Sequence, residues 1–170
     1  MQRTLTAAFL VLACLLTDGR PAVSQSPMRF PATGPHAFLI TVQPGWTSSE
    51  DRANNGMRLF ADGRWGGISL SIVTDPNNPG RPLLGLAQEI SEAANVKLSG
   101  KEEPAAISGK PGTAFYGIMT IKDNTLDTRI LIVPVASDTW ASLSTITKGS
   151  LTPAQQQSLS RAVSNIALTQ

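Results

Sequence analysis

At 170 residues, with 41% hydrophobic residues and a mean hydropathy near zero, the chain has the size and composition of one globular domain with a processed end. Its net charge is +2, and removing a leader that carries Arg3, Asp18 and Arg20 leaves 12 basic against 11 acidic residues, so no basic excess exists to hold nucleic acid or an anionic membrane surface. One cysteine, Cys14, and one histidine, His36, exclude a disulfide framework and a cysteine–histidine metal site.

Met1-Gln2-Arg3 is short and basic, and residues 5–16 (LTAAFLVLACLL) form an apolar run too short to span a bilayer comfortably. Ala22 and Ser24 then put small residues where a signal peptidase reads, so residues 1–24 are expected to be a secretory signal cut before Gln25. The expected location is periplasmic or secreted. Val11-Leu12-Ala13-Cys14 weakly resembles a lipobox, but Leu12 is unusual there and the apolar run continues past Cys14. A lipid anchor on Cys14 is therefore the lesser alternative. After cleavage the domain has no cysteine, and a hydrophobic core alone must hold it.

Residues 25–37 hold three prolines and little periodicity, which predicts an extended leader with His36 solvated in it. Residues 38–42 (FLITV) predict a strand ended by Pro44-Gly45, after which Trp46 is expected to plug one end of the core. Residues 50–56 read as a polar loop. Strands over 57–61 and 68–74 then form a hairpin, in which Ile68, Leu70 and Ile72 alternate with Ser69, Ser71 and Val73. Its wide loop contains Gly63-Arg64-Trp65-Gly66-Gly67, which lacks the spacing of a phosphate-binding loop and opens onto no helix. Trp65, an indole between glycines, is a contact candidate.

The Pro- and Gly-rich stretch 75–82 leads into a helix over 83–95. Leu83, Leu86, Ala87, Ile90 and Ala94 recur there at helical spacing, while Gln88, Glu89, Ser91 and Glu92 face away. Residues 95–104 read as a charged edge strand or an extended connection, and 105–108 as a further short strand. Strands over 113–121, 128–135 and 140–147, joined by turns rich in Asp, Asn and Ser, make an antiparallel meander. Ile130 and Ile132 lie on one face of its middle strand, Leu131 and Val133 on the other. A strand apolar on both faces belongs inside a sheet that is covered on both sides. A closing helix starts at Thr152, with Gln155 completing a capping box and Pro153 in the first turn. Leu159, Ala162, Val163 and Ile166 form its buried stripe.

No catalytic residue is identified. The domain lacks a cysteine nucleophile, and Ser99-Gly100-Lys101 and Ser108-Gly109-Lys110 lack the Ser-x-x-Lys spacing that puts both groups on one helix face. Asp123, Asn124 and Asp127 read as turn-forming residues, not calcium ligands. No metal or other cofactor is expected.

The order FLITVQPGW, NGMRLF, ISLSIVT, helix, GTAFYGIMTI, TRILIVPV, WASLSTI and closing amphipathic helix resembles the PsbP-like family. Its members include photosystem II PsbP subunits, a Ran-binding nuclear import factor and DcrB-type small exported bacterial proteins. The resemblance covers about residues 36–168, and its most recognisable piece is the strand followed by Pro44-Gly45-Trp46. It implies an α+β fold over residues 38–170, a central antiparallel β-sheet with helices packed on both faces, and a binding or accessory role without catalysis.

The expected function is therefore that of an exported cell-envelope accessory protein that binds another envelope protein through its loops, with Arg64, Trp65 and Arg81 as the partner-binding candidates. The alternative is a periplasmic small-ligand carrier with an apolar pocket between sheet and helix, using Trp46, Tyr116 and Trp140. Neither reading involves nucleic acid or a membrane span after signal cleavage.

Overall fold

The computed structural model describes residues 26–51, 56–121 and 123–169. The expected signal peptide and the Cys14 anchor lie outside the described residues. Two antiparallel sheets and two helices make up the fold. Strands β1 (Met28–Phe30) and β2 (Phe38–Ile40) form a small sheet with a late strand, β10 (Ile166–Leu168), in the order β1-β2-β10.

The large sheet comprises β3 (Trp46–Asp51), β4 (Gly56–Ala61), β5 (Gly66–Thr74), β6 (Val96–Ile107), β7 (Lys110–Ile121), β8 (Asn124–Ala136) and β9 (Thr139–Lys148). Their spatial order is β3-β4-β5-β9-β8-β7-β6, with every neighbouring pair antiparallel. Helix α1 (Leu83–Ala93) connects β5 to β6, and α2 (Pro153–Ser164) follows β9.

The meander is the interior of this sheet. Ile130, Leu131, Ile132 and Val133 of β8 are all at most 2% exposed, so both faces of that strand are buried as its apolar composition requires. The two faces feed different clusters. On one side Ile130 and Ile132 pack with Phe115, Trp140, and Leu86 and Ala87 of α1. On the other, Leu131, Val133 and Leu143 pack with Phe38, Ile40, Ile166 and Leu168 of the small sheet and with Ala162 of α2. Burying a side chain such as Leu86 contributes about 1.5–3 kcal/mol, so each cover is strongly held.

Several expectations change in the folded chain. The stretch read as a leader contains β1, whose Met28–Phe30 pairs with β2, and His36 is half-buried instead of solvated. Three residues are a short strand, stable here only as the edge of a small sheet in which β2 also pairs with β10. Of the stretch 50–56 read as a polar loop, Glu50 and Asp51 belong to β3 at the sheet edge, paired with β4 from Trp46 to Asp51, and Gly56 opens β4, while residues 52–55 lie outside the described residues. The two weak strands proposed for 95–108 are one long edge strand, β6, with a register shift between Leu98 and Glu102. Ser91, assigned to the outer face of α1, is buried, and its hydroxyl donates to the Gln88 carbonyl at 2.7 Å. Ile166 lies beyond α2, in β10.

Helices therefore do not supply all the cover. One face carries α1, whereas the opposite cluster is built from the small sheet together with Ala162, Leu159 and Val163 of α2. The capping box of α2 forms as read: Thr152 Oγ1 accepts from the Gln155 backbone N–H, and the Thr152 N–H donates to Gln155 Oε1.

Candidate functional site

Helix α1 is eleven residues long and lies over β6, β7 and β8, so it covers only part of a seven-stranded face. Beside it the sheet is open, and a groove of about 410 Å³ runs across the strands from the C-terminal end of α1 to β4. The wall next to the helix is Ile90, Ala94 and Val96. Met119 and Ile121 of β7 and Ile130 of β8 continue it, and Phe60 of β4 forms the far rim. Phe60 and Ile121 are 38% and 51% exposed, so the rim presents apolar surface to solvent.

The floor has a different composition. Gly67, Ser69 and Ser71 of β5 and Ser142 and Ser144 of β9 line it, with Thr128 of β8 beside them. The register places Ser69 opposite Ser144 and Ser71 opposite Ser142. Four serines thus occupy neighbouring positions on one face of two adjacent strands, where larger side chains would fill the space. Small residues give the groove its depth, and hydroxyls give it polarity. Thr128 is 4% exposed, and its Oγ1 is buried with no hydrogen-bond partner among the described residues.

A second hollow of about 220 Å³ adjoins the groove and shares Phe60, Gly67 and Ile146 with it. Arg64, Trp65 and Lys148 form its lip. Trp65 is held there because its ring stands edge-on to Trp46, with centroids 5.7 Å apart at 81°, and because its carbonyl accepts from the Lys148 N–H at 2.9 Å. Trp46 is itself fixed from behind: its indole Nε1–H donates to Ser158 Oγ of α2 at 3.0 Å.

The structure thus brings Arg64 and Trp65 together at one end of the groove. Arg81 does not line that hollow. Its guanidinium pairs with Glu89 of α1 and with Asp75 at 3.5 Å, and its side chain is 8% exposed, which ties the 75–82 loop to the helix. Trp46, Tyr116 and Trp140 are not brought together. Trp46 packs in the cluster facing the small sheet, and Trp140 is buried under α1. Tyr116 also packs toward the small-sheet side, with its hydroxyl donating to Glu103 at 2.6 Å. None of the three lines the groove.

The only other buried side-chain nitrogen or oxygen without a partner among the described residues is His36 Nδ1, in a residue that lines a hollow with Asp138, Thr74 and Thr139. Among the described residues no group of three His, Cys, Asp or Glu side chains is placed to hold a metal ion, and no helix is long and apolar enough to cross a membrane.

The serine floor went unread in the sequence. Its signal was available: Ser69-x-Ser71 and Ser142-x-Ser144 repeat the same alternation in two strands. Only the pairing of β5 with β9 makes the two repeats one patch, and only the shortness of α1 leaves it uncovered.

This architecture, a large antiparallel sheet with one helix on one face and a small sheet and helix on the other, is the PsbP-like fold. Among solved structures, the chain is similar to cyanobacterial PsbP from Synechocystis sp. PCC 6803, with a TM-score of 0.55 at 12% identity over 85% of this chain and 94% of that one. It is likewise similar to LpqN, a protein involved in cell envelope biogenesis of Mycobacterium tuberculosis, with a TM-score of 0.53 at 15% identity over 85% and 90% of the two chains. A protein of Bacteroides thetaiotaomicron matches with a TM-score of 0.50 at 11% identity over 78% of this chain, which spans only 45% of that protein's length. No protein-family model matches the sequence, and no curated protein does. Identities this low establish the fold alone.

Proposed function

We propose that the protein is a non-catalytic accessory protein of the bacterial cell envelope that works by binding a protein partner at the Arg64–Trp65 end of the groove. The observation that carries this reading is the convergence of Phe60, Trp65, Arg64 and Lys148 around one hollow on the sheet. An aromatic held by a rigid sheet and flanked by two cations suits an apolar anchor residue with carboxylates beside it. The fold shared with an envelope-biogenesis protein and with PsbP supports the accessory role, and the export signal read in residues 1–24 supports the envelope location.

The test is affinity capture from envelope extract with the full chain as bait, in parallel with an Arg64→Glu, Lys148→Glu variant. Both side chains are exposed, so the variant is expected to fold. A protein held by the first bait and released by the second supports the reading. Equal retention by the two overturns it.

A second reading, that of a small-ligand carrier, is favoured by a separate observation: the groove combines apolar walls with the buried, unpartnered hydroxyl of Thr128. Its volume of about 410 Å³ lies within the range of small-molecule sites. The residues involved are those of the groove, Thr128, Ser142, Ser144, Met119 and Ile146, in place of Trp46, Tyr116 and Trp140.

A further inference from the structure

We infer that the groove beside α1 takes a small neutral amphiphile, with its apolar chain along Met119, Ile121 and Ile146 and its uncharged head on the hydroxyls of Thr128, Ser142 and Ser144. This deepens the small-ligand reading of the groove and rests on it.

The starting point is Thr128. Buried hydroxyls in folded proteins nearly always have a hydrogen-bond partner, because leaving one unmade is destabilising. Thr128 Oγ1 is buried without one among the described residues, and the residue lines the groove. A ligand atom that donates or accepts there satisfies it, since a hydroxyl does both.

The register says what surrounds that hydroxyl. Thr128 pairs with Ile146 across β8 and β9, and Ser144 pairs with the next residue on the same face of β8, Ile130. Ser144 is therefore the diagonal neighbour of Thr128, within reach of one small polar head, and Ser142 continues the row. Ile146 and Met119 flank the hydroxyls with apolar surface on either side.

The head is uncharged because, among the described residues, the floor carries no side chain that can neutralise a charge. Among the described residues the only charged side chain lining the groove is that of Arg58, which sits on β4 and is already engaged with another residue. A carboxylate or ammonium set down on serine and threonine hydroxyls would lose its hydration without gaining a counter-ion. An alcohol or ester head loses far less and matches the donor and acceptor capacity of the floor.

The test is titration of the full chain with 1-monodecanoylglycerol, with decanoate and with decyltrimethylammonium. Each is held below its micelle concentration, and binding is followed by calorimetry and by the methyl signals of Met119, Ile130 and Ile146. The expected result is saturable binding of monodecanoylglycerol, about tenfold weaker in Thr128→Val. Binding is lost in Ser144→Leu, whose side chain fills the floor, while both variants unfold as cooperatively as the parent. If decanoate or decyltrimethylammonium binds as tightly as the neutral probe, or Thr128→Val binds all three unchanged, the neutral-head assignment is overturned. The carrier reading survives that outcome, provided Ser144→Leu still abolishes binding. If no probe binds, or binding ignores Ser144→Leu, both are overturned.

Discussion

The indole of Trp65, on the turn between β4 and β5, stands edge-on to the indole of Trp46, the first residue of β3, with ring centroids 5.7 Å apart. Trp46 in turn donates to Ser158 of α2. A surface turn at the end of the groove is thereby tied through two aromatic rings to a helix on the opposite side of the sheet. Trp65 is consequently a rigid contact residue, not a freely swinging one.

Ser158→Ala leaves the Trp46 N–H, in a residue 6% exposed, without that acceptor. Loss of a buried hydrogen bond costs about 1–2 kcal/mol, which chemical denaturation will show as a lower midpoint at unchanged slope. Ser158→Thr keeps the hydroxyl and is expected to restore most of the loss. Equal stability of the Ala variant and the parent would remove Ser158 from the account of how Trp65 is held.

Thr128→Val is expected to behave in the opposite sense. It exchanges a buried hydroxyl, without a partner among the described residues, for a methyl group of nearly the same shape on an interior strand. Removing an unsatisfied polar atom without changing volume favours the folded state, so the variant should gain about 1 kcal/mol in thermal or denaturant unfolding. A gain in stability combined with a loss of amphiphile binding would mark Thr128 as a position kept polar for ligand.

Gly112→Ala should be severely destabilising, although a methyl group is the smallest possible addition. A Cβ at this position would lie 2.8 Å from Val133 Cγ2, and closer still to the carbonyl oxygen of Ile132 in the adjoining strand. The obstruction is backbone inside the central meander, which cannot move without breaking the pairing of β7 with β8. Overpacking of this kind costs about 1–3 kcal/mol or more, read as a fall in melting temperature of several degrees. Gly85→Ala, on α1 with open space around it, is the matched control and should be neutral or stabilising.

Glu103 on the edge strand β6 gives a pH-dependent signature. Its carboxylate is held below the ordinary glutamate range first by the hydrogen bond with Lys101 and then by the Tyr116 hydroxyl. Lys101 also lies 4.4 Å above the Tyr116 ring. Because the folded pKa is depressed, the stabilisation is complete above the ordinary carboxylate pKa. It is lost as pH falls through the lower folded value. The group is exposed, so the effect on stability is small and screened by salt. Carboxyl NMR titration should find the Glu103 midpoint below the usual range, and Lys101→Ala should move it upward. A midpoint that Lys101→Ala leaves in place would mean that the Tyr116 hydroxyl and the charge of Arg129 set it without the lysine.

Much of the fold was legible because it is written in local patterns. The two-sided apolar run of β8, the alternation in β5, the spacing of Leu86 and Ala87 in α1 and the Thr152–Gln155 cap each depend on residues a few positions apart. Turn chemistry and side-chain periodicity determine such elements wherever they lie in the chain. The strand at 38–40 was legible as β2, but its partners β1 and β10 carry too few residues to announce themselves. They exist because Met28 and Ile166 both pair with Ile40, the second from the far end of the chain, and that small sheet, with α2 beside it, occupies a face expected to be covered by helix.

The groove belongs wholly to the second category. Alternation in β5 set Ser69 and Ser71 apart from Ile68 and Leu70, but could not say that β5 and β9 are neighbours or that Ser142 and Ser144 face the same side. Nor could it place Thr128 diagonally beside them, or show that an eleven-residue helix stops short of covering them. The sequence by itself determined the strands of the central meander, the β4–β5 hairpin and the two helices, because those follow from neighbours along the chain. Only the tertiary structure decided where the binding surface lies, because register and the reach of α1 depend on residues far apart in sequence meeting across the sheet.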